Sequence, residues 1–289
     1  MTYTSEISRS KPGCFLFLID QSGSMAEPMG GQAGRRKMDG VADAINRLLD
    51  NLVQRCSKGE DVRGYFDIGV IRYCTAEGGD PQVGPAFSGP LAGRALVSIS
   101  EVAEYPARIE ERSAKVEDGA GGLVNETRKF PIWFDPVAEG GTPMARALEL
   151  AQEVLKDWVA QHPNSFPPVV INITDGEAND QESEYRDLES YAQKLRALST
   201  SDGELLLFNI HLSQFDVTPV AFPGEESNLP GDYAQQLFRM SSSLPEAFVR
   251  EGRNQGLDLA ESAKGFVFNA DMSMLVQFMN LGTTPGNLR

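Results

Sequence analysis

The stretch Phe17-Leu-Ile-Asp-Gln-Ser-Gly-Ser-Met25 decides how this chain is read. It closes a continuous apolar run, "CFLFLID" from Cys14, of the kind a strand shows when both of its faces are buried. The run stops on a carboxylate, and two serines and a glycine follow at once. A buried strand that ends by presenting Asp20, Ser22 and Ser24 is delivering oxygen atoms to the rim of a sheet.

Working outward, "KMDGVADAINRLLDNLVQRC" keeps Val41, Ile45, Leu48, Leu49, Leu52 and Cys56 at helical spacing. "YFDIGVIRY", Tyr65 to Tyr73, reads as the next strand. A second helix opens at Thr142-Pro143, with Pro at the first helical position, where its missing N–H costs nothing. "PPVVINITD" is a third buried strand and also ends on a carboxylate, Asp175. "DLESYAQKLRALS" reads as helix and "ELLLFNIHLS" as strand. "LPEAFVREGRNQGLDLAESA" reads as a broken helix, "GFVFNAD" as a last strand and "MSMLVQFMN" as a last helix. Strands alternating with helices predict an α/β fold. Its expected form is a Rossmann-like, doubly wound, mostly parallel central sheet flanked by helices, with one antiparallel edge strand.

No repeat or low-complexity linker divides residues 1–289, so one domain is expected. Two long insertions exceed a minimal unit, at about 75–139 and 214–243. The first contains Gly-rich pieces, including Glu117 to Gly122, and is expected to hold a hairpin around "ALVSISEV". The second is rich in Pro, Gly and Ser. Long segments inside a compact domain tend to be functional.

Composition narrows the function. The chain has 289 residues, with 41 acidic against 26 basic side chains and a net charge of −15. That balance repels phosphate backbones and anionic lipid, so neither nucleic acid nor a membrane surface is an expected partner. The N-terminus has no apolar signal segment, and no run is long enough to span a bilayer. Cys14, Cys56 and Cys74 are an odd number without C-x-x-C spacing and read as reduced core residues. A cytoplasmic location is the resulting expectation.

In an open parallel sheet, ligands bind beyond the carboxyl ends of the strands. Asp20, Ser22, Ser24, Asp175 and Thr142, the last following the Gly140-Gly141 turn, can meet there. All five offer hard oxygen ligands, which select Mg2+, Mn2+ or Ca2+ over zinc or copper. Taken singly, Asp20 and Ser22 could cap a turn and Thr142 a helix. Glu177 and Asp180 read as solvated acids, and Arg35, Arg36 and Lys37 as a solvated cluster that could also steer an acidic ligand. His162 and His211 are the only histidines. No G-x-S-x-G elbow or phosphate-binding loop is present, so no catalytic residue is assigned and a non-enzymatic role is expected.

D-x-S-G-S, with a later Thr and a later "TDG", resembles the metal-ion-dependent adhesion site of von Willebrand factor A (VWA) domains. The matching residues are Asp20, Ser22, Ser24, Thr142 and Asp175, in the family's order and on the corresponding elements. "GGTPM" and "ITDGEAND" are similar to solitary bacterial VWA proteins, including the tellurite-resistance TerY type, which are often encoded beside kinases, phosphatases or ATPases. The resemblance implies direct ligation by Ser22, Ser24 and Thr142 and ligation through water by Asp20 and Asp175. It also implies a partner protein whose Asp or Glu completes the shell. The chain departs from the pattern in the longer segment from Ala26 to Lys37 and in the two insertions. Three functions are therefore open: a cation-dependent protein-binding module in a stress- or defence-type system, a metal-dependent phosphoesterase using the same cluster, or a scaffold with a vestigial site. The strand preceding Gln214 is expected to run parallel to "CFLFLID", and the first insertion leads into Thr142, so Ser113 to Lys129 and Gln214 to Ser243 should both flank the cation and supply the specificity.

Overall fold

The computed structural model describes residues 3–30, 34–59, 61–77, 79–117, 123–176, 187–212, 218–227, 229–254, 256–270 and 274. The chain opens with β1 (Gly13–Asp20) and α1 (Lys37–Cys56), then a small ribbon of β2 (Ser57–Lys58) and β3 (Asp61–Val62). Next come β4 (Phe66–Thr75), β5 (Pro81–Pro85), β6 (Val97–Ser98) and α2 (Ile99–Glu104). A hairpin of β7 (Arg108–Glu117) and β8 (Leu123–Ile132) leads to α3 (Met144–Gln161) and β9 (Val169–Thr174). Then follow α4 (Leu188–Arg196), a second ribbon of β10 (Ser199–Thr200) and β11 (Gly203–Glu204), and β12 (Leu206–His211). The last elements are β13 (Val220–Ala221), α5 (Gly231–Met240), α6 (Glu246–Asn254) and β14 (Phe266–Phe268).

One eight-stranded sheet runs in the order β13-β14-β12-β9-β1-β4-β5, with β6 also paired to β4. The four pairings joining β14, β12, β9, β1 and β4 are all parallel. This is the expected α/β architecture. Antiparallel strands close it at both edges, β13 on β14 and β5 on β4, where the sequence suggested one.

Side chains of a strand alternate between faces. Phe15, Phe17 and Ile19 of β1 pack on one face with Val41, Ile45, Leu48, Leu49 and Leu52 of α1. Leu16 and Leu18 pack on the other with Ala147, Leu148, Ala151 and Leu155 of α3. All are buried, at about 2 kcal/mol for each large aliphatic side chain taken from water. Cys14, Cys56 and Cys74 are free and buried, as expected of core thiols.

Three expectations change. "ALVSISEV" forms no hairpin: Ser98 and Glu101 make a reciprocal capping box that starts α2 there. The hairpin follows at β7–β8. The second insertion holds β13 and the helix α5, whose Ala234, Leu237 and Phe238 stripe packs into the core. And α3 begins at Met144, with Pro143 before it; the Pro143 carbonyl accepts from the Ala147 amide at 3.3 Å. The expected last helix lies, but for Met274, outside the described residues, as do Glu177 and Asp180. No described helix is long and apolar enough to cross a membrane.

Candidate metal centre

Because β1, β4 and β9 are parallel, their carboxyl ends share one rim. The chain after β1 is held there by backbone hydrogen bonds. The Gly23 amide donates to the Gly140 carbonyl at 2.8 Å, and the Glu139 amide to the Gln21 carbonyl at 2.6 Å. The Gly141 amide donates to Thr75 Oγ1, at the end of β4, at 2.6 Å. Gly140 has φ +64°, and a Cβ there would stand 1.9 Å from the Thr75 carbonyl oxygen, so only glycine fits. This zipper brings Thr142, which is buried, to the same rim as Ser22 and Ser24.

Four of the five residues expected at the site form one hydrogen-bonded chain. Asp20 Oδ1 accepts from the Ser22 amide at 2.8 Å. The Ser22 and Ser24 hydroxyls are 3.1 Å apart. Ser24 Oγ donates to Asp175 Oδ1 at 2.8 Å. Thr174, which the sequence reading passed over, donates from Oγ1 to Asp20 Oδ2 at 2.8 Å. It belongs to the same "ITD" end of β9 as Asp175, and that adjacency was the available signal.

Burial sets the electrostatics. Asp20 is fully buried, and loss of hydration pushes its carboxyl from 3.8 up to about 6; the Ser22 hydrogen bond opposes the shift and the nearby Asp175 carboxylate adds to it. Tyr73, paired with Asp20 across β1 and β4, has its phenol pushed well above its ordinary value by burial and then by Asp20. Its hydroxyl donates to Asn172 Oδ1 at 2.8 Å, Asn172 Nδ2 to Asn209 Oδ1 at 3.0 Å, and Asn209 Nδ2 to Ser241 Oγ at 2.9 Å. This buried polar layer is satisfied link by link, which fixes the strands beneath the rim.

Lys37 departs from the expectation of a solvated cluster. Its side chain is 3% exposed, and Nζ lies 2.6 Å from Asp175 Oδ2 and 3.1 Å from Glu27 Oε2. Arg36 pairs with Asp39 at the surface, and Arg35 with Asp43. Backbone pairing of residues 27–29 with 35–37 puts Lys37 in place: Pro28 bridges Arg36, and the Lys37 amide donates to the Glu27 carbonyl at 3.0 Å.

His211 ends β12 beside Thr174 and stacks on Phe268, with ring centroids 4.7 Å apart. Burial lowers its imidazole to about 4, and the Lys37 charge acts in the same direction. Tyr233 of α5 brings its hydroxyl within 3.5 Å of Thr174 Oγ1, so the second insertion does reach this rim. From the first insertion, the Trp133 and Phe134 amides donate to Asn46 Oδ1, and Arg112 of β7 pairs with Asp43, one turn nearer the Lys37 end of α1.

The donor chemistry fits a hard divalent cation. The oxygens are carboxylates and hydroxyls, and an ammonium group already sits against them. Among the described residues no group of three or more His, Cys, Asp or Glu is assembled into a metal-binding cluster.

The chain matches no protein-family model and no curated protein. Among solved structures it is similar to the PilB minor pilin from Streptococcus sanguinis, with 11% identity, a TM-score of 0.43 and coverage of 94% of this chain and 61% of that one. It is similar to the vWF domain of the type V pili tip protein Mfa5 from Porphyromonas gingivalis, with 14% identity, a TM-score of 0.31 and coverage of 58% and 39%. The ArnB paralog VWA2 from Sulfolobus acidocaldarius gives 14% identity, a TM-score of 0.33 and coverage of 70% and 35%. In each case the chain spans less than two thirds of the other chain's length.

Proposed function

We propose that this chain is a VWA-type protein-binding module that uses a divalent cation, Mg2+ or else Mn2+ or Ca2+, to engage an acidic side chain of a partner protein. The observation that carries the reading is the hydrogen-bonded run Asp20–Ser22–Ser24–Asp175 at the carboxyl ends of two adjacent parallel strands. Ser22, Ser24 and Thr142 would supply neutral hydroxyl ligands, and Asp20 and Asp175 would balance charge through bound water. Neutral direct ligands leave the ion electrophilic, which suits capture of an incoming Asp or Glu.

The binding role is preferred to a metal-dependent phosphoesterase. Each carboxylate oxygen of Asp20 and Asp175 already accepts a hydrogen bond, which suits holding ligands better than abstracting protons. In the cell, the reading is that of a cytoplasmic adaptor of the TerY-like type in a stress- or defence-type system, with a kinase, phosphatase or ATPase as the partner class.

The test joins metal to partner chemistry. Titration calorimetry should give one Mg2+ or Mn2+ site in the wild type and none in Asp20→Ala. A displayed peptide library selected with Mg2+ and eluted with chelator should enrich Asp- or Glu-containing sequences. Equal metal binding in both proteins, or peptide capture indifferent to chelator, would refute the reading.

A further inference from the structure

Lys37 stands where a helix disfavours a cation. It is the first residue of α1, at the end where the aligned peptide dipoles are positive. Its side chain is also removed from water, which penalises an isolated ammonium heavily. Three oxygens offset this: Asp175 Oδ2 at 2.6 Å, Glu27 Oε2 at 3.1 Å and the Ser24 carbonyl at 3.4 Å. Two of the three belong to residues assigned above to the cation site. Carboxylate and carbonyl oxygens around a positive centre are also the donors a hard divalent ion takes.

The two carboxylates that hold Lys37 are unequal. The Asp175 side chain has no exposure, whereas that of Glu27 is 44% exposed. Lys37 thus spans a buried acid of the site and a half-exposed acid, Glu27.

We propose that Lys37 is a tethered cation that competes with the divalent ion for Asp175. When the ion arrives, the ammonium gives up Asp175 and keeps Glu27, turning outward toward water. Asp20, Asp175 and Glu27 against Lys37 leave an excess of two negative charges, which one divalent ion balances. The ammonium therefore sets the concentration at which the site fills, and keeps Asp175 paired below it. The inference rests on the divalent-cation reading of the preceding subsection.

The test has two arms. In the first, Mn2+ is titrated into wild type, Lys37→Met and Lys37→Arg. Removing the ammonium that competes for Asp175 should tighten Mn2+ binding in Lys37→Met by about tenfold or more. Lys37→Arg keeps the charge and should stay near wild type. The second arm uses the wild type alone and decides the matter if Lys37→Met fails to fold. Reductive methylation read by mass spectrometry should label Lys37 slowly without Mn2+ and faster with it, while Lys156 on α3 serves as an internal reference. Equal Mn2+ affinity in the three proteins, or Lys37 labelling that is unchanged or reduced when Mn2+ is bound, would overturn the tethered-cation role and leave the metal reading standing. No Mn2+ binding by any of the three proteins would overturn both.

Discussion

The strands β1 and β9 are neighbours in one sheet, run the same way and each lead to a carboxylate at the same rim, Asp20 at the end of β1 and Asp175 just after β9, yet the two carboxylates are held in opposite ways. Asp20 is surrounded by neutral donors, the Ser22 amide and the Thr174 hydroxyl, and burial lifts its carboxyl to about 6. Asp175 has a cation 2.6 Å away, the buried ammonium of Lys37. The residue type is the same, and the places are one residue apart: Asp20 closes β1, while Asp175 follows Thr174, the last residue of β9. What differs is the nearest neighbour, and that neighbour decides whether the charge is opposed within the chain. The rim is therefore an acidic site balanced on one side only, with Asp20 as the carboxylate still to be balanced.

The largest break in this comparison comes from removing the cation. In the presence of chelator, Lys37→Met should destabilise the fold by about 3 kcal/mol, because the buried Asp175 carboxylate is left unpaired. Denaturant unfolding measures it, and a loss below about 1 kcal/mol would show that the pair is not what holds this rim.

The Asp20 side is sharpened by pH. Its folded value lies above the unfolded value of 3.8, so below both values it contributes no difference. As pH rises from 4 to 6 the unfolded chain ionises first, and stability falls; above about 6 the full cost is present. Asp20→Asn cannot ionise, so in chelator its stability relative to wild type should rise through this window by up to about 3 kcal/mol and then level off. Melts at pH 4, 5, 6 and 7 check this, and a flat difference would contradict the assignment.

A smaller effect is expected at the hydroxyl joining the two ends. Ser24→Ala leaves Asp175 Oδ1 without its donor and should destabilise by about 1–2 kcal/mol in chelator while weakening Mn2+ binding. The smallest is expected away from the rim. Arg112→Ala removes a partly buried pair with Asp43, which keeps Arg35 and Arg47, and should change stability by about 1 kcal/mol or less, with metal affinity unchanged. A large effect of Arg112→Ala on metal affinity would couple the hairpin to the site more tightly than these contacts allow.

The sequence carried the residues of this rim better than their setting. Apolar runs ending on Asp20 and Asp175 told where two strands stop, and parallel pairing then placed both acids on one rim without further information. Lys37 was read as solvated because a charge run beside Arg35 and Arg36 looks alike whether it faces water or not. Its burial follows from residues 27–29 pairing with residues 35–37, a contact that local spacing does not encode. The dipole penalty at the start of α1 was the available clue that an acidic partner had to be near. The helix α5 was hidden by the Pro, Gly and Ser around it, although Ala234, Leu237 and Phe238 keep helical spacing, and with it went Tyr233 beside Thr174. The capping box at Ser98 and Glu101 was legible and outweighs the β-branched residues that suggested a hairpin.

The central claim is that a divalent cation sits among the oxygens of Ser22, Ser24 and Thr142, with Asp20 and Asp175 behind them. Anomalous diffraction from a crystal soaked in Mn2+ tests it most directly. The account predicts one strong peak within about 2.5 Å of the Ser22 and Ser24 hydroxyls, with Thr142 Oγ1 in the same shell. An anomalous map with no peak at this rim, or with the manganese elsewhere on the acidic surface, would contradict it.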